Sequence, residues 1–124
     1  MGPLPKTRIM AVEHNDTLRD GLIALIGDEP DLEIVSTPSD AQHALLEFLR
    51  VQPHVTIVDV DTPGTLELMR QLRSRQPQVK IIPLVNYEWD SIAQAAVETS
   101  GSPCLPKDHI GRRLLSVIRE TRDT

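Results

Sequence analysis

Four places in this chain carry side chains that could do chemistry together: Glu13-His14, Asp59 with Asp61, Val85-Asn86, and Lys107. The most telling stretch is 54–65, His-Val-Thr-Ile-Val-Asp-Val-Asp-Thr-Pro-Gly-Thr. Val55 to Val58 is an unbroken run of strand formers, too short for a helix and apolar on both faces, as in the centre of a parallel sheet. The run ends in two carboxylates and a Pro63-Gly64 turn. A carboxylate at the end of a buried strand must be hydrated, paired or metal-bound. The crevice beyond the carboxyl ends of the strands is also where open α/β sheets hold their ligands.

The elements that must position these groups can be read in order. Arg8 to Glu13 is a first apolar strand ending in an acid, after a short extended lead-in, residues 1–7, that holds Pro3 and Pro5. Asp16 is the expected cap of a helix with Leu18, Leu22, Leu25 and Ile26 on one face. Leu32 to Ser36 is a second strand. Ser39 and Gln42 form a capping box for a helix through Arg50, with Ala41, Ala44, Leu45, Phe48 and Leu49 as its buried stripe. The anchor strand follows, then a third helix carrying Leu66, Met69 and Leu72 to Arg75. Lys80 to Val85 is a fourth strand, and Pro83 leaves it irregular or without a partner on one side. A fourth helix spans about Asp90 to Thr99, with Ile92, Ala95 and Ala96 facing in. Gly101 to Pro106 is a weak last strand, and Ile110, Leu114, Leu115, Val117 and Ile118 mark a terminal helix capped by Asp108.

Strand–helix repeated five times, with short connections, gives a parallel sheet with helices on both faces, since such crossovers are right-handed. Glu13, Asp59, Val85-Asn86 and Lys107 then converge on one rim.

Composition narrows what that rim can do. The chain has 124 residues, 40% hydrophobic and 25% charged, with a net charge of -5. That is one ordinary globular domain, and its acidity argues against binding nucleic acid through the phosphate backbone. The single cysteine, Cys104, rules out an internal disulfide and cannot build a structural zinc site alone. No signal peptide, myristoylation motif or membrane-length apolar run is present, so a cytoplasmic protein is expected.

Asp59 followed by Pro63-Gly64, with Leu105-Pro-Lys107-Asp108 on the fifth strand, resembles the receiver domain of bacterial two-component response regulators. The resemblance runs from about Arg8 to Arg122, with residues 123–124 a tail or the start of a linker. Asp16 to Ile26, containing Leu-Arg-Asp-Gly-Leu, is similar to the subgroup that carries a C-terminal DNA-binding domain. The resemblance implies a flavodoxin-like (βα)5 three-layer sandwich of strand order 2-1-3-4-5. It also implies phosphorylation of Asp59 by a sensor histidine kinase or phosphotransfer protein, Lys107 contacting the phosphoryl group, and Mg²⁺ held by Glu13, Asp59 and the Asp61 backbone carbonyl. Such a domain is regulatory rather than an enzyme.

Four positions depart from the family pattern. His14 stands where a second metal-binding acid is usual, and Mg²⁺ prefers oxygen. Val85, at the hydroxyl switch position, cannot hydrogen-bond a phosphoryl oxygen. Cys104, read as a small core residue, replaces the switch aromatic, and Pro106 directly precedes the lysine. His14 is expected to pair with Asp59 or Glu13. Two readings of function follow. One is a phosphoacceptor with a weakened Mg²⁺ site. The other is a degenerate receiver that works as a phosphorylation-independent interaction or dimerisation module through the fourth helix, fifth strand and fifth helix. A nucleotide or flavin binder is disfavoured, because no glycine-rich phosphate cradle follows any strand. Tyr87 and Trp89 either mark a partner surface or pack half-buried, the commoner case.

Overall fold

The computed structural model describes residues 5–124, so the reading of residues 1–4 as extended falls outside what it describes. Five strands and five helices alternate: β1 (Thr7–Val12), α1 (Asp16–Gly27), β2 (Leu32–Ser36), α2 (Ala41–Val51), β3 (Val55–Asp59), α3 (Thr65–Arg75), β4 (Ile81–Val85), α4 (Ser91–Ser100), β5 (Leu105–Pro106) and α5 (Ile110–Arg122). The sheet is parallel throughout, in the order β2-β1-β3-β4-β5. This is the flavodoxin-like doubly wound arrangement. The switch point, where the strand order reverses, lies between β1 and β3, so Glu13 and Asp59 leave the sheet side by side.

Two apolar layers hold the sheet. On one face Ile9, Ala11, Ile57, Ile82 and Leu84 pack against Leu22 and Ile26 of α1 and Leu114 and Ile118 of α5. On the other, Met10, Val12 and Val58 meet Ala44 and Phe48 of α2, Met69 and Leu72 of α3, and Ala93 and Ala96 of α4. Every residue of β3 is buried, as a strand covered on both faces requires.

Several local expectations shift. Asn15, not Asp16, caps α1, its side chain accepting from Leu18 N at 2.9 Å. Asp40, not Ser39, caps α2, accepting from His43 N at 2.8 Å. Asp108 caps nothing: residues 107–109 form a 3-10 turn, and α5 begins without a side-chain cap. In α4 the inward face is Ala93, Ala96 and Ser100, while Ile92 is exposed, and in α2 Leu49 is exposed where Val51 is buried. β1 begins at Thr7, within the expected lead-in.

The last strand contracts most. Only Leu105 and Pro106 pair, with Leu84 and Val85, because Pro106 lacks an N–H and Pro103 lies just upstream. As a result Pro83 pairs with β3 through Val58 but has no strand beside it on the β5 side, which is how a central strand tolerates it. Cys104 is accordingly half-buried at the margin of the second apolar layer rather than within the core.

Candidate functional site

The rim beyond the strand ends is built by three loops. After β1 the chain turns into α1 through Glu13, whose side chain is fully buried and whose Oε2 accepts from Asn15 N at 3.2 Å. After β3, Asp59 is likewise buried, and its Oδ1 accepts from Asp61 N at 2.8 Å. That contact folds the 59–61 backbone back over the carboxylate. Thr65 closes the turn by donating its hydroxyl to Thr62 O at 2.8 Å. Gly64, at φ 81°, supplies the left-handed step into α3, where a side chain would be strained. After β5, Lys107 reaches in across the rim.

Lys107 is the electrostatic centre. Its Nζ lies 2.9 Å from Asp59 Oδ1 and 2.8 Å from Asp61 Oδ2. Burial pushes its ammonium pKa down, but the hydrogen bonds with Asp61 and Asp59 outweigh that and hold it above the ordinary value. Asp61 is held below the usual carboxylate range, first by Lys107 and, less strongly, by Asn86, whose Nδ2 donates to the same Oδ2 at 2.8 Å. Glu13 behaves oppositely. Burial, reinforced by the nearness of the Asp59 carboxyl, raises its pKa to about 8. It therefore carries a proton near neutrality, which lets two buried carboxyls stand together.

His14 is half-exposed and bonds chiefly to Thr62: its ring Nδ1 is 2.9 Å from Thr62 Oγ1, and its backbone N–H donates to the same hydroxyl at 3.1 Å. Glu13 Oε2 lies farther from the ring, at 3.5 Å. Thr62 and the Asp61 side chain are the functional-site groups that sequence reasoning missed. From sequence, Asp61 is assigned only its backbone carbonyl. The signal available for Thr62 was a hydroxyl three residues past a strand-end acid. Val85 is buried in the second apolar layer and contributes no polar atom to the rim.

Donor atoms of Glu13, His14 and Asp59 lie within 4.8 Å of one another. Glu13 Oε1 and Asp59 Oδ2 are buried and have no hydrogen-bond partner among the described residues. Two unsatisfied carboxyl oxygens facing one rim fit a hard divalent cation, although with fewer acids than such an ion usually takes. The imidazole is a poor addition to that set, and its Nδ1 is already engaged by Thr62.

Comparisons with known proteins agree with this architecture. The chain is 27% identical over 115 residues to the DNA-binding transcriptional activator DevR/DosR of Mycobacterium tuberculosis, covering 91% of this chain and 53% of that protein. It is 24% identical over 116 residues to the transcriptional regulatory protein DegU of Brevibacillus brevis, covering 92% and 49%. The chain thus spans about half the length of these curated relatives. Among solved structures, it matches the response regulator domain of Thermotoga maritima CheB at a TM-score of 0.87, with 20% identity over 96% of this chain and 98% of that one. It matches the receiver domain of the putative response regulator NarL of Mycobacterium tuberculosis at 0.88, with 16% identity over 97% and 98%. The model of the response regulator receiver domain matches residues 9–119, and the chain belongs to that family.

Proposed function

We propose that this receiver takes a phosphoryl group on Asp59, with Lys107 contacting it and Glu13 assisting a weakened Mg²⁺ site. The observation that carries this is the pairing of Lys107 Nζ with Asp59 Oδ1 at 2.9 Å, while Asp59 Oδ2 is buried without a partner among the described residues. A free carboxylate oxygen beside a fixed cation suits nucleophilic attack on phosphorus. The new P–O bond forms as the bond to the donor breaks, its electron pair leaving on the imidazole of a phosphohistidine or on acetate. Lys107 offsets the charge gathering on the phosphoryl oxygens. Glu13, Asp59 and the Asp61 carbonyl would hold Mg²⁺, which when bound neutralises phosphoryl charge. To do so, Glu13 gives up its proton. A sensor histidine kinase or phosphotransfer protein is the partner this implies. The setting is cytoplasmic, and residues 8–122 act as one receiver unit. Among the described residues, no helix is long and apolar enough to cross a membrane.

A second reading is favoured by a separate observation. Tyr87 and Trp89 meet at a tilt with ring centroids 5.1 Å apart, are 56% and 74% exposed, and lie in the loop that leads into α4, where Ile92 and Val97 are also exposed. Apolar surface gathered there suits a protein partner or a second copy on the α4–β5–α5 side. With Val85 and Cys104 at the switch positions, that surface would act without a phosphorylation relay.

Incubation with acetyl phosphate and millimolar Mg²⁺ tests both. The phosphoacceptor reading expects the mass of one phosphoryl group to be gained, and Asp59→Asn to abolish it. No gain, together with concentration-dependent association that Trp89→Asp abolishes, would establish the second reading instead.

A further inference from the structure

The end of β4 and the end of β5 each send one N–H donor to a single oxygen. Lys107 Nζ and Asn86 Nδ2 both lie 2.8 Å from Asp61 Oδ2. Two donors from separate strands converging on one anionic oxygen form an oxyanion site, the arrangement that stabilises charge on a reacting group. Here the occupant is the chain's own carboxylate. We propose that Asp61 is a resident anion that blocks the site, holding the two donors that a phosphoryl oxygen on Asp59 takes over when Asp61 swings out. This rests on the phosphoacceptor reading of Asp59 and adds to it a residue that restrains loading and a second hydrogen-bond donor to the phosphoryl group, Asn86.

The chemistry of the neighbours supports the assignment. Val85 is buried and apolar, so the end of β4 offers no hydroxyl, and the Asn86 carboxamide is the polar donor presented there instead. Lys107 already touches Asp59 Oδ1, so a phosphoryl group built on Asp59 arrives within reach of the same ammonium. A dianionic phosphoryl group and the Asp61 carboxylate cannot share one lysine at close range without strong repulsion. Asp61 has somewhere to go, since its side chain is 37% exposed, whereas Asp59 is 1% exposed and fixed. Its backbone N–H to Asp59 Oδ1, at 2.8 Å, hinges the movement without requiring the strand to shift.

The test is a beryllofluoride titration in millimolar Mg²⁺, followed by two-dimensional NMR of the 15N-labelled chain. Asp61→Asn is expected to half-saturate at about tenfold lower beryllofluoride than the parent, the worth of one charge-assisted hydrogen bond. Asn86→Ala placed in the Asp61→Asn background is expected to lose most of that gain. Asp108→Asn removes the same charge next to Lys107 from a side chain that is 80% exposed, and is expected to leave the midpoint where it was. A midpoint for Asp61→Asn equal to or above the parent's, or one matched by Asp108→Asn, overturns the proposal while leaving the phosphoacceptor reading in place. Binding by Asp61→Asn alone, with the parent silent, supports it in its strongest form. Silence from both proteins overturns the blocking role and the phosphoacceptor reading together.

Discussion

Replacing Phe48 with alanine is expected to remove about 3–5 kcal/mol of folding stability, a large share of the roughly 5–15 kcal/mol a domain possesses. Phe48 is the only phenylalanine in the chain and is 1% exposed. It stands on α2 within the layer that holds Met10, Val12, Val58, Met69 and Leu72. The other large members of that layer lie on the sheet and on α3, where their own packing limits how far they can close the space. Val12 and Val58 of the same layer immediately precede Glu13 and Asp59, so loosening the layer loosens the strand ends that aim the carboxyls. The loss should appear as a lower midpoint with little change of slope in urea denaturation. A cost under about 1 kcal/mol would mean that the layer collapses around the gap, and that α2 does not brace the site.

The second large effect is a fall of stability with rising pH. Glu13 has an ordinary pKa of 4.5 when unfolded and about 8 when folded. Between those values the folded chain keeps a proton that the unfolded chain has released. Linkage then makes stability decline as pH rises through that window and level off above it. Moving the carboxyl from 4.5 to about 8 corresponds to roughly 5 kcal/mol across that window. Glu13→Gln, neutral at every pH, should flatten the profile and be the more stable protein at pH 9. Mg²⁺ held at the proposed site would compete with the same proton, so millimolar Mg²⁺ is expected to raise the melting temperature more at pH 8 than at pH 6. Thermal melts across pH, with and without the ion, check all three. A parent profile that rises from pH 5 to 8 would show Glu13 to be ionised in the fold.

Much of this architecture was legible because strand type and strand order follow from patterns that survive in one dimension. The run from Val55 to Val58 has no helical reading, and short connections leave little choice but a parallel sheet. The meeting of Asp59 with Lys107 followed from that sheet, since both end strands at the same rim. What the sequence concealed has two physical origins. The caps at Asn15 and Asp40 were each missed by one residue because Ser, Asn and Asp all accept from the first helical turn, and periodicity does not fix the entry. Ile92 and Leu49 were placed inward because a hydrophobic residue one step out of phase still looks like part of a stripe. Small Ala93 held the buried position instead. The Asp61 contacts and the Thr62–His14 pair arise where three loops from distant parts of the chain meet. No spacing within any one loop encodes them.

The contraction of β5 to two residues has a bearing on how copies of this domain could meet. A sheet edge invites a foreign strand by offering a row of unpaired N–H and C=O groups. Here that edge is Leu105 and a proline, so a visiting strand would find almost no backbone donors to register against. Any association on this side must be written in side chains, with Trp89, Tyr87 and Ile92 as its exposed apolar vocabulary. Such contacts can be tuned or dissolved by single substitutions, and they lack the ladder of backbone hydrogen bonds that an open strand edge would offer.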